Sequence, residues 1–61
     1  MDFRFKRVFR DGRHSFEEID FKSLASAFTS AAGCLYFDDE DILDHIDVYD
    51  DKDKKIATFY K

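Results

Sequence analysis

FKSLASAFTSAAGCL, residues Phe21–Leu35, decides how this chain folds. Leu24, Phe28, Ala31, Ala32 and Leu35 recur at the i, i+4, i+7, i+8, i+11 spacing of one helical face. Phe21 opens the same stripe, while Lys22, Ser23, Ser26, Thr29 and Ser30 point away from it. The flanking segments read as strands with an apolar side, and this is the segment able to cover them. Asp20 or Ser23 can cap the helix start. Gly33 is a natural stop, which leaves Cys34–Phe37 as a frayed last turn or a short extended piece.

Before the helix, residues 3–10 alternate. Phe3, Phe5 and Phe9 face one way, and Arg4, Lys6, Val8 and Arg10 the other, the pattern of a half-buried strand. Asp11-Gly12 is a hairpin signal, and residues 14–21 form the return strand. A three-residue loop of Asp11, Gly12 and Arg13 places Arg10 opposite His14, Phe5 opposite Ile19 and Phe3 opposite Phe21. On the other face it places Lys6 opposite Glu18, Arg4 opposite Asp20 and Val8 opposite Phe16. A two-residue loop sets Phe5 against Glu18 and buries carboxylates, because a one-residue slip exchanges a strand's faces. A rival reading takes Ser15–Glu18 as a capping box that starts one long helix. It turns Ile19 away from the Phe21–Phe28 stripe.

After the helix, Asp38–Asp41 reads as a solvated acidic turn and Ile42–Asp50 as a strand. Asp51–Lys54 forms a four-residue loop and residues 55–61 the closing strand. Val48 then faces Ala57, Ile46 faces Phe59, Tyr49 faces Ile56 and His45 faces Tyr60. The expected fold is one small α+β domain over residues 1–61. It has ββαββ order and an antiparallel sheet in the order 2-1-3-4, with the helix on one face.

Composition bounds the rest. A chain of 61 residues buries only about 60% of its unfolded surface and is marginal alone. Its one cysteine, Cys34, makes no intrachain disulfide and is expected as an inert, buried thiol. Stability must come from the eight Phe and three Tyr or from self-association, so a homo-oligomer is one expectation. No window approaches the ~18 apolar residues of a membrane span. MDFRFKRVFR lacks the apolar core of a signal peptide. The simplest setting is reducing and cytoplasmic.

The net charge of −4 hides an asymmetry. Residues 1–13 carry five basic side chains, whereas residues 38–53 carry nine acids against Lys52 alone. Such a split can steer a partner or be consumed by pairing inside the fold. The acids do not follow the EF-hand pattern, which needs Gly at position 6 and Glu at position 12, so no metal is expected. His14 and His45 stand near acids, but no nucleophile or Gly-rich phosphate loop accompanies them. No catalytic residue and no cofactor is assigned. The size, charge and layout resemble those of small stand-alone proteins of phages and mobile elements, some of which inhibit host enzymes through an acidic surface. That resemblance rests on no motif.

The function expected is that of a non-enzymatic regulatory module. It binds another protein, a basic or nucleic-acid-handling one, through Asp38, Asp39, Asp41, Asp44, Asp47 and Tyr49 together with the uncovered strand face. Charge reversal at Asp44 and Asp47 is expected to weaken binding and leave thermal stability nearly unchanged. The alternatives are nucleic-acid binding through the basic first hairpin, with Arg10 and Arg13 as contacts, and a homodimerising domain with no separate activity.

Overall fold

The computed structural model describes residues 1–61. Four strands and one helix follow in the order β1 (Asp2–Phe9), β2 (His14–Asp20), α1 (Leu24–Tyr36), β3 (Leu43–Tyr49) and β4 (Lys55–Tyr60). The strands form one antiparallel sheet, β2-β1-β3-β4, with β2 and β4 at its edges. This is the ββαββ domain and strand order that the sequence implies. No helix is long and apolar enough to cross a membrane.

Both hairpins close the same way. Phe9 N–H donates to Arg13 O at 2.9 Å and Gly12 N–H to Phe9 O at 3.0 Å. Asp50 N–H donates to Lys54 O at 2.9 Å and Asp53 N–H to Asp50 O at 3.0 Å. Each loop has three residues, and its third position takes positive φ: +93° at Gly12 and 65° at Asp53. That requirement fixes the first loop as Arg10-Asp11-Gly12, one position earlier than Asp11-Gly12-Arg13. Every β1–β2 partner therefore moves by two residues. Phe3 meets Ile19, Arg4 meets Glu18, Phe5 meets Glu17 and Lys6 meets Phe16. A two-residue shift preserves the faces, so Phe3, Phe5 and Ile19 still share the core side.

The second hairpin corrects a smaller detail. Its loop is Asp51-Lys52-Asp53, and an irregularity between Val48 and Tyr49 restores the expected register beyond it. Val48 meets Ala57, Ile46 meets Phe59 and His45 meets Tyr60 as the alternation implies, but Tyr49 meets Lys55.

Ser23 caps α1: its Oγ accepts from Ser26 N–H at 3.1 Å. Asp20 instead takes the N-terminal amine at 2.7 Å. Gly33 does not end the helix. The helix continues through Tyr36, and Phe37 N–H donates back to Gly33 O at 2.9 Å.

The buried face of α1 is Ala27, Ala31 and Leu35, with Phe28 and Cys34 half-buried at its flanks. Leu24 and Ala32, expected on that face, are exposed. Two alanines on the contact line let the helix lie close to β3 and β4, the strands it packs on. Phe21 covers β1 ahead of the helix, with its ring 6.1 Å from Phe3 and 5.7 Å from Phe5. The core is Phe3, Phe5, Ala27, Ala31, Leu35, Leu43, Ile46 and Val48. β2 contributes only half-buried Ile19 and is otherwise exposed.

Candidate functional site: a groove between the helix and the outer strand

The acids of residues 38–53 do not form one surface. β3 separates them, with Asp38, Asp39, Glu40, Asp41 and Asp44 before or at its start and Asp50, Asp51 and Asp53 after its end. Most are occupied. Asp38 accepts from Leu43 N–H at 2.9 Å and from Lys61 Nζ at 2.7 Å. Asp41, itself at φ 56°, accepts from Arg10 at 3.0 Å and lies 2.8 Å from Lys61 Nζ. The Lys61 ammonium, with the Leu43 amide, holds Asp38 below the usual carboxylate range, and Lys61 with Arg10 does the same for Asp41. Lys61 is raised in turn by these two carboxylates. Asp44 pairs with His45 Nδ1 at 2.7 Å, and Asp53 pairs with Arg4 across the sheet. Asp39 and Glu40 are exposed and enter no ion pair.

Asp47 lies where its alternation places it, away from α1, yet it is only 7% exposed. Lys6 and Thr58 flank it in the register, and Thr58 Oγ1 donates to its Oδ1 at 2.7 Å. It belongs to the structure of the sheet, so the stability-neutral charge reversal expected of it now applies to exposed Asp44 alone. Tyr49 is half-buried, with the Arg4 guanidinium 5.6 Å from its ring. Arg10 is held by Asp41, and Arg13 by Asp11 at 2.6 Å. Two of the five N-terminal cations thus pair with the later acidic stretch, Arg4 with Asp53 and Arg10 with Asp41, while Arg7 pairs with Glu17 and Arg13 with Asp11. No three His, Cys, Asp or Glu side chains converge as a metal site would require.

Sequence reading passed over the aromatic end of α1. Tyr36 and Phe37 stand 81% and 74% exposed, edge to face with ring centres 4.9 Å apart, and Tyr60 is 73% exposed. Between α1 and the end of β4 runs a groove of about 390 Å³ lined by Ala32, Leu35, Tyr36, Phe59, Tyr60 and Lys61. Lys61 ties its floor to the acidic turn through Asp38 and Asp41. A signal was present: Leu35-Tyr36-Phe37 is a run of three apolar residues, more than one helical face can bury.

A second arrangement lies on the uncovered sheet face. Phe16 is 50% exposed, with Arg4 and Lys6 at 5.0 and 5.9 Å from its ring and His14 edge-on at 5.5 Å. No protein-family model, curated protein or solved structure matches this chain.

Proposed function

We propose that this chain is a non-enzymatic protein-binding module whose contact centre is the groove between α1 and β4. The observation that carries this is the exposure of Tyr36 and Tyr60 at one apolar groove beside the acidic turn, with exposed Phe37 edge to face against Tyr36. The apolar groove selects an apolar segment. The unpaired Asp39 and Glu40 beside it favour basic residues at that segment's end. A basic partner, such as a protein that handles nucleic acid, fits that chemistry, and occupying its surface is how the module would inhibit it. Of the acids expected at the contact, Asp39 alone enters no ion pair, and Glu40 beside it adds a second free charge. Asp38 and Asp41 shape the turn. The test is capture on the immobilised chain, eluted with salt. A protein retained by the natural sequence should be lost with Tyr36→Ser/Phe37→Ser and with Asp39→Lys/Glu40→Lys. Retention indifferent to both variants rejects the groove.

The alternative, nucleic-acid binding through the first hairpin, draws support from Phe16 and its cationic neighbours, since bases stack on aromatic rings beside basic groups. It requires affinity for a single-stranded oligonucleotide that falls steeply with salt and is lost in Phe16→Ala. An oligonucleotide that does not bind even at low salt ends that reading.

A further inference from the structure

We infer that the groove takes a strand from a second copy of this chain, paired antiparallel along the free edge of β4. This rests on the groove being a protein-binding site. It adds a specific occupant, a second copy, which in the dimer fills the groove in place of the basic partner, so that the two compete for it.

β4 is an edge strand, and its outer side is ready for pairing. Lys61 N–H donates inward to Asp44 O at 3.3 Å. In an antiparallel ladder inward and outward residues alternate. Phe59 and Ala57 therefore also face β3, and the N–H and C=O groups of Thr58 and Tyr60 point away from the sheet; the irregularity at Ile56 ends the alternation there. Residues 56–60, Ile-Ala-Thr-Phe-Tyr, carry no charge. An uncharged edge rich in β-forming residues is a template for another strand, and strand addition beside a side-chain groove is a recurring mode of recognition. The opposite edge is defended, because β2 carries Glu17, Glu18 and Asp20.

The occupant follows from charge. The groove calls for an extended apolar segment with basic residues at the end beside the acidic turn. Residues 54–60 of this same chain, Lys-Lys-Ile-Ala-Thr-Phe-Tyr, have that chemistry. β4 ends at Tyr60, beside the acidic turn, and begins at Lys55. An antiparallel second copy brings its Lys54 and Lys55 to the Asp39–Glu40 end of the first, and the two-fold repeats the match at the other junction. All four side chains are exposed and enter no ion pair within one copy. The product is an eight-stranded sheet with both helices on one face.

Sedimentation equilibrium on the natural chain should show a dimer. Lys54→Glu/Lys55→Glu opposes acid to acid at both junctions, and Asp39→Lys/Glu40→Lys opposes base to base. Each should raise the dissociation constant about tenfold or more. Mixing the two variants makes both junctions complementary again, so the mixed dimer should recover the natural affinity. In the natural chain, the amides of Thr58 and Tyr60 should gain hydrogen-exchange protection as concentration rises. A natural chain that stays monomeric at about 1 mM, a mixture no tighter than either variant, or unprotected outward amides in a dimer each overturns the inference. If the chain is monomeric but the capture experiment still depends on Tyr36 and Phe37, self-pairing falls and the groove stands.

Discussion

Thr58→Val tests the placement of Asp47. The substitution keeps the β-branched shape and removes only the hydroxyl that donates to Asp47 Oδ1 at 2.7 Å. The acceptor is a carboxylate, 7% exposed as a residue, and hydrogen bonds to charged groups are worth about 1.5–3 kcal/mol net. Taken at the lower bound of that range, the expected loss is about 1.5 kcal/mol. Single domains hold about 0.05–0.15 kcal/mol per residue, so this chain has roughly 3–9 kcal/mol in total. The loss is thus a sixth to a half of it. At about 4–8 °C per kcal/mol for a domain of this size, the midpoint should fall by about 6–12 °C. The assay is thermal and urea unfolding followed by circular dichroism, completed by a double-mutant cycle with Asp47→Ala. The cycle should return a coupling of about 1 kcal/mol or more, because both single variants break one bond. A loss under about 0.5 kcal/mol, the range of an ordinary surface change, with no coupling would falsify the argument that Asp47 is a structural member of the sheet. It would return Asp47 to the binding surface.

Three further outcomes follow from the same geometry. Gly12→Ala meets no atom within 4 Å, so its cost is the positive φ alone, about 1 kcal/mol by urea titration; no change would mean that the first loop is not held at that φ. Phe5→Ala removes a fully buried ring at about 3–5 kcal/mol, a third or more of the total stability, and should lower the thermal midpoint by more than about 12 °C or abolish the transition; a cooperative transition near the natural midpoint would place the core elsewhere. Lys61→Met should flatten stability at both ends of the pH range. Asp38 and Asp41 are depressed in the folded state, so what they contribute is complete above the ordinary carboxylate value and is lost as pH falls through the depressed values. Lys61 is raised, so its contribution is present below the ordinary lysine value and is lost as pH rises through the raised one. Acid and alkaline limbs unchanged by the substitution would show that the cluster does not form in solution.

Much of this architecture was legible in one dimension. Phe3, Phe5 and Phe9 announced a strand and its core face, Asp11-Gly12 announced a hairpin, and the spacing of Phe28, Ala31 and Leu35 announced the helix. These signals repeat over a few residues and are set by backbone geometry, so they survive without knowledge of neighbours. The misplaced first loop did little harm for the same reason. A two-residue shift leaves every side chain on its face, and only the partners change.

What needed the tertiary structure depends on residues far apart in the chain. Periodicity could not choose Ala27 over Ala32, because the close approach of α1 to β3 and β4 decides which side of the helix is buried. It could not tell that Asp47 is covered by Thr58, or that Lys61 and Arg10 draw Asp38 and Asp41 into the fold. Nor could it bring Tyr36 to Tyr60 across a groove. The sequence by itself determined the elements and their faces, because each follows from local backbone period and side-chain polarity. Only the tertiary structure decided which charges stay free and which aromatics meet, because both depend on long-range contacts that no local pattern contains.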